Sequence, residues 1–121
     1  MVGYVAQVGA RIQAEISQVS GERRAVNLFD RAAMPYTEAT ILETLRVTSS
    51  PIVPHVATQD SSIGGYDVPK GTVVFLNNLE LNTGAAYWSE PHNFSPERFI
   101  VNEQVVKPAH FIPFSTGQYK L

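Results

Sequence analysis

Between residues 4 and 20, apolar side chains recur at three- and four-residue spacing: Val5, Val8, Ile12, Ile16 and Val19, with Gln7, Arg11, Glu15 and Gln18 facing elsewhere. That period predicts an amphipathic helix, and Gly21 is well placed to stop it. A polar loop from Glu22 to Asn27 leads into Leu28–Ala33, a segment of one or two helical turns. A second helix is predicted from Pro35 to about Val47. Proline in the first turn costs nothing, because its missing N–H would be unpaired anyway. Ala39, Leu42 and Leu45 are good helix formers, and Ile41 is also apolar. Ser49-Ser50-Pro51 stops this helix, since the residue before proline avoids the helical region.

The pattern then changes to β. Ile52–Thr58 is rich in β-branched residues, and Ile63-Gly64-Gly65-Tyr66 reads as a tight hairpin. Val68-Pro69-Lys70-Gly71 has proline second and glycine fourth, as a type I turn prefers. Thr72–Leu76 follows as a short buried strand, with earlier or later strands of a small antiparallel sheet as its neighbours. From Gly84 to Leu121 no helix or strand signal lasts, yet this stretch holds seven of the chain's twelve aromatics: Tyr87, Trp88, Phe94, Phe99, Phe111, Phe114 and Tyr119. So long an irregular segment in a compact domain usually has a function. Rings in irregular chain need burial, so much of the surface they cover is expected to lie in sequence outside these 121 residues.

Composition narrows the class. The chain is one-domain sized, 44% hydrophobic and 17% charged, with a formal net charge of −2. This is an ordinary globular balance, with no electrostatic footprint for nucleic acid or anionic lipid. The Arg23–Arg24 pair reads as a solvated loop. No apolar run approaches the length of a membrane-spanning helix, and Met1-Val2-Gly3-Tyr4 lacks the features of a signal peptide. There is no cysteine, which excludes disulfides, thiolate nucleophiles and cysteine-based metal sites within this sequence. His55, His92 and His110 have no metal-ligand spacing, and Gly64-Gly65 is a turn rather than a phosphate loop. Asn93-Phe94-Ser95 fits the glycosylation pattern but sits in the aromatic run, where burial is expected.

Glu43 and Arg46 lie three apart and share one face of an otherwise apolar helix. Exposed, they form a local ion pair worth a few tenths of a kcal/mol; buried, both charges must be paired. Arg98, in Pro96-Glu97-Arg98-Phe99 among prolines and aromatics, is a third charge in need of a partner.

Glu-x-x-Arg on a helix, followed by Pro-Glu-Arg-Phe, resembles the cytochrome P450 family. That resemblance implies a buried triad of Glu43, Arg46 and Arg98 behind the haem, at charge-assisted distances of ~2.7–2.9 Å. Pro54-His55-Val56-Ala57-Thr58-Gln59-Asp60 looks like the family strand whose basic residue meets a haem propionate, here His55. Tyr87-Trp88-Ser89-Glu90-Pro91 with Phe94, Pro96 and Phe99 is similar to the family's Trp-x-x-Pro-x-x-Phe-x-Pro-x-Arg-Phe run; Asn82 stands where the family often has histidine. Phe111-Ile112-Pro113-Phe114-Ser115-Thr116-Gly117 resembles the lead-in to the haem loop. Counting on from Phe114, Tyr119 takes the arginine position and Leu121 the position of the axial cysteine. Leucine has no lone pair for iron.

By this resemblance residues 1–121 are a partial domain: an α+β fragment of a mostly helical fold, with two helices, a small antiparallel sheet and a long aromatic loop. The resemblance implies Phe114 and Gly117 as cofactor contacts beside His55, and Ser50, Ile52 and Val53 as lining of a substrate pocket. The whole enzyme would be a haem-dependent monooxygenase on the cytosolic face of the endoplasmic reticulum, fed by an NADPH-dependent reductase. The run Tyr36–Thr58 and Val74-Phe75-Leu76-Asn77-Asn78 look most like the insect Spook type of ecdysteroid synthesis, so a sterol is the implied substrate. Haem is not expected to bind stably to this chain alone. Residues Gln118–Leu121 are expected to reflect a misread exon boundary or shifted frame, since the match fails abruptly after Gly117. A non-catalytic interaction protein derived from the fold is one alternative. An unrelated α+β binding module is another, favoured if Glu43, Arg46 and Arg98 lie far apart.

Overall fold

The computed structural model describes residues 2–21, 23–48 and 54–114. Helix α1 spans Val2–Ser20 and α2 spans Pro35–Thr48, joined by a 3-10 turn at Leu28–Ala33. Gly21 takes the left-handed φ of +56° that ends α1, and its N–H donates to Ser17 at 2.9 Å.

The turn before α2 is fixed by a capping box. The Asn27 side chain accepts the Phe29 N–H at 2.9 Å, while the Asp30 carboxylate accepts the Asn27 N–H at 2.9 Å. Arg24 donates to both Asp30 oxygens at 2.7 Å. The Arg24 guanidinium, with help from the Asn27 N–H, holds the Asp30 carboxyl down at about 2. A depressed folded-state value means the contribution is complete above the ordinary carboxylate range and is lost as pH falls towards 2. A carbon-detected titration of Asp30 should therefore show its midpoint well below that of a model aspartate; a midpoint near 4 would contradict the pairing.

Docking of α1 departs from the amphipathic reading. Among the described residues α1 buries no apolar side chain fully, and Val5 is 67% exposed. The contacts come instead from Tyr4, Arg11 and Glu15, two of which were expected to face elsewhere. Tyr4 donates to the Phe94 carbonyl at 2.7 Å. The Arg11 guanidinium lies 3.5 Å over the Tyr36 ring and pairs with Glu97. Glu15 accepts the N–H groups of Tyr36 and Thr37, both at 2.7 Å, and the Thr37 hydroxyl at 2.6 Å. The reason lies at the start of α2. Met34 carries no capping oxygen, and a helix start has donors without intrahelical acceptors. A carboxylate from α1 supplies the missing acceptor where the helix dipole favours negative charge.

Among the described residues, antiparallel pairing comes as three separate two-stranded ribbons rather than one sheet. Strand β1 (Pro54–Val56) pairs with β4 (Val73–Phe75), with His55 opposite Val74. Strands β2 (Ser61–Ile63) and β3 (Tyr66–Val68) form the hairpin predicted at Gly64-Gly65, which take φ of +58° and +86°. The next turn is displaced by one residue from the sequence reading. The Thr72 N–H donates to Pro69 at 3.1 Å and Gly71 sits third with φ +88°, as a type II turn requires. β4 is not buried: Val73 is 51% and Phe75 62% exposed.

A short helix α3 (Asn78–Thr83), absent from the sequence reading, precedes the aromatic loop. That loop contains a 3-10 turn at Pro96–Phe99 and a hairpin of β5 (Ile100–Val101) and β6 (Gln104–Val105). The core lies between α2 and this loop and consists of Ala39, Leu42, Trp88, Phe99 and Phe111, with Leu45, Ile100 and Val105 against it. At Gly84 the Tyr87 and Trp88 N–H groups both donate to its carbonyl at 3.1 Å. An added Cβ there would meet the Glu80 carbonyl oxygen at 2.6 Å. Gly84→Ala is therefore expected to cost about 1–3 kcal/mol by forcing the backbone apart, measured by urea denaturation. A variant as stable as the native chain would contradict this packing.

Candidate functional site

The helical period places Glu43 and Arg46 on the side of α2 that meets the aromatic loop, and both are 0% exposed. Arg46 grips the carboxylate in bidentate fashion, Nε to Oε2 and Nη2 to Oε1, each at 2.8 Å. Its remaining Nη1 donates to the Asn82 carbonyl at 2.7 Å. Arg98 enters from the Pro96–Phe99 turn, with its Nε 3.1 Å from both oxygens of Glu43. The Ser95 N–H adds a fourth bond to Oε1 at 2.8 Å.

The exposed-pair alternative is therefore excluded by burial, and the three charges lie together. Arg46 meets the expected distance; Arg98 is slightly longer and its side chain remains 12% exposed. One carboxylate serves two guanidiniums, leaving one surplus positive charge in the cluster. Loop carbonyls take it up: Arg98 donates to Ser89 and Asn93, both at 2.9 Å. Both guanidiniums also face the indole of Trp88, at 5.3 and 5.7 Å from its centroid. The cluster's chemistry is structural. It ties α2 to residues 82–98 with every charge satisfied, the condition under which buried ions are tolerated.

His55 is half-buried on β1 and lines a groove of about 360 Å³ between the first two ribbons, with Ala57, Ile63, Val68 and Val74. Phe114 is 67% exposed. Neither His55 nor Phe114 joins the Glu43 cluster by a hydrogen bond or ion pair. Ser50, Ile52 and Val53, like Gly117, Tyr119 and Leu121, lie outside the described residues. Asn93 is exposed, not buried as its place in the aromatic run suggested. Its backbone carbonyl, rather than its side chain, serves the cluster. Sequence reasoning missed the carbonyls of Asn82, Ser89 and Asn93, because a backbone acceptor leaves no mark on residue type.

No group of three or more His, Cys, Asp or Glu side chains among the described residues could hold a metal ion, and the whole sequence has no cysteine. These 121 residues offer no thiolate to a haem iron.

Comparison with known proteins gives one consistent match. The family model for cytochrome P450 covers residues 6–119. Cytochrome P450 307a1 of Drosophila melanogaster is 43% identical over 98% of this chain and 27% of its own length. Cytochrome P450 2U1 of Homo sapiens is 40% identical over 92% of the chain and 21% of its own length. Farnesoate epoxidase of Bombyx mori is 40% identical, again over 92% of the chain, and 23% of its own length. The chain thus spans roughly a quarter of these relatives or less.

Proposed function

The chain belongs to the cytochrome P450 family, and from that membership we propose that it serves a haem–thiolate monooxygenase acting on an apolar, sterol-class substrate. Members of this family are oxidoreductases that use haem iron. The observation that carries the reading is the Glu43 carboxylate, fully buried and shared by Arg46 and Arg98. When bound, haem would supply oxygen activation and one-electron chemistry, tuned by a thiolate.

This chain's part is to hold and orient. His55 would donate to a propionate, and Phe114 and Gly117 would contact the cofactor. The β-branched, apolar Ile52 and Val53, with Ser50, would shape the substrate pocket. Electrons would come from an NADPH-dependent reductase at the cytosolic face of the endoplasmic reticulum. No helix among the described residues is long and apolar enough to cross a membrane. The sterol class is supported by the runs Tyr36–Thr58 and Val74–Asn78 and by the similarity to P450 307a1. The similarity to a farnesoate epoxidase makes an isoprenoid acid the competing class.

Two measurements test this reading. The longer reading frame, taken from the transcript and co-expressed with a reductase, should convert a sterol to a product heavier by one oxygen atom. Conversion of farnesoate alone would replace the substrate class, and a verified frame without a cysteine would favour the non-catalytic reading. The 121-residue chain mixed with haem, reduced and treated with carbon monoxide, should give no thiolate-type band. A clear band of that type would overturn the assignment of the iron ligand to sequence outside this chain.

A further inference from the structure

Residues 108–114 are positioned almost without hydrogen bonds. Among the described residues, the only such bond in this segment is local, from the Phe111 N–H to the Pro108 carbonyl at 2.9 Å. The buried Nε2 of His110 has no partner. What meets His110 and Phe111 is aromatic. The Trp88 ring lies 4.8 Å from His110 and 6.0 Å from Phe111, both edge-on, and the Tyr87 ring lies 5.4 Å from His110.

Trp88 also touches the charged cluster. Its Nε1–H donates to the Leu81 carbonyl at 2.7 Å, which fixes the ring plane. Both guanidiniums lie within about 6 Å of its centroid, the range over which a cation is drawn to the ring face. The surplus positive charge of the cluster strengthens that attraction, because little water reaches the site to screen it.

We propose that Trp88 is a positioning residue: it transmits the placement of the Glu43–Arg46–Arg98 cluster to His110 and Phe111. A second route exists through Phe99, which adjoins Arg98 in the chain and lies 4.9 Å from Phe111. The test must separate the two. The functional weight of this coupling rests on the haem–thiolate reading. The coupling itself is read without haem, so either can fail while the other stands.

The measurement is the position of the His110 ring signals in a proton–carbon spectrum of the 121-residue chain, with His55 on β1 as the internal control. Arg98→Lys keeps the charge but removes the planar fork. It is expected to move the His110 signals and leave His55 in place. In a Trp88→Leu background the same Arg98→Lys change should leave His110 unmoved. Absence of any shift with Trp88 intact, or an equal shift in the Trp88→Leu background, overturns the proposal, the latter in favour of Phe99. If Trp88→Leu collapses all three histidines to one unstructured position, Trp88→Phe takes its place. It keeps a ring in the core with a weaker cation–π face. A response cut by more than half supports the proposal, and an undiminished one overturns it.

Discussion

Glu43→Gln is expected to lower the unfolding free energy by about 3–5 kcal/mol, the cost of removing one partner from a buried ionic group. Glutamine keeps the shape and one acceptor, so the loss reports charge rather than volume. The native carboxylate accepts from Arg46 twice, from Arg98 and from the Ser95 N–H. An amide cannot accept at both atoms, and it leaves two guanidiniums, one fully and one mostly buried, without their counter-charge. Against the 5–15 kcal/mol that usually separates folded from unfolded states, such a loss brings the chain close to unfolding. Urea denaturation followed by far-ultraviolet circular dichroism measures it. A change under 1 kcal/mol would mean that the cluster is open to solvent.

Phe99→Ala is expected to cost a similar amount, about 3–5 kcal/mol, by a different mechanism. Phe99 is 0% exposed and lies 5.5 Å from Trp88 and 4.9 Å from Phe111, ring centre to ring centre. Truncation opens a cavity walled by rigid rings and by α2, which cannot collapse to fill it. A Phe99→Ala variant within 1 kcal/mol of native would contradict the packing of the loop on α2.

Much of the scaffold was legible where a local rule is strong. The helix of residues 35–48 follows from proline at its first position and proline shortly after its end. The hairpin at Gly64-Gly65 follows from two residues that tolerate positive φ. Glu43 and Arg46 were marked by charge on an apolar helix, and Arg98 by charge among aromatics. Their meeting depends on about fifty intervening residues, and only the resemblance to a family pointed to it.

The rest was hidden for physical reasons. Helix α3 is six residues long, too short to establish a period. The docking of α1 through Arg11 and Glu15 reverses the apolar-inward rule. The strongest unmet demand on α2 is electrostatic, at donors with no capping side chain. β4 is exposed because a two-stranded ribbon has two open faces, which a count of β-branched residues does not reveal. The cofactor and pocket roles of His55, Phe114, Gly117, Ser50, Ile52 and Val53 rest on resemblance alone.

The most direct test of the account is hydrogen exchange at the arginine Nε–H groups, resolved in a nitrogen-edited spectrum. Arg46 and Arg98, both donating to a buried carboxylate, should exchange far more slowly than Arg23, which is exposed. Exchange of Arg98 at the rate of Arg23 would place its guanidinium in solvent and contradict the buried, shared carboxylate on which the family site depends.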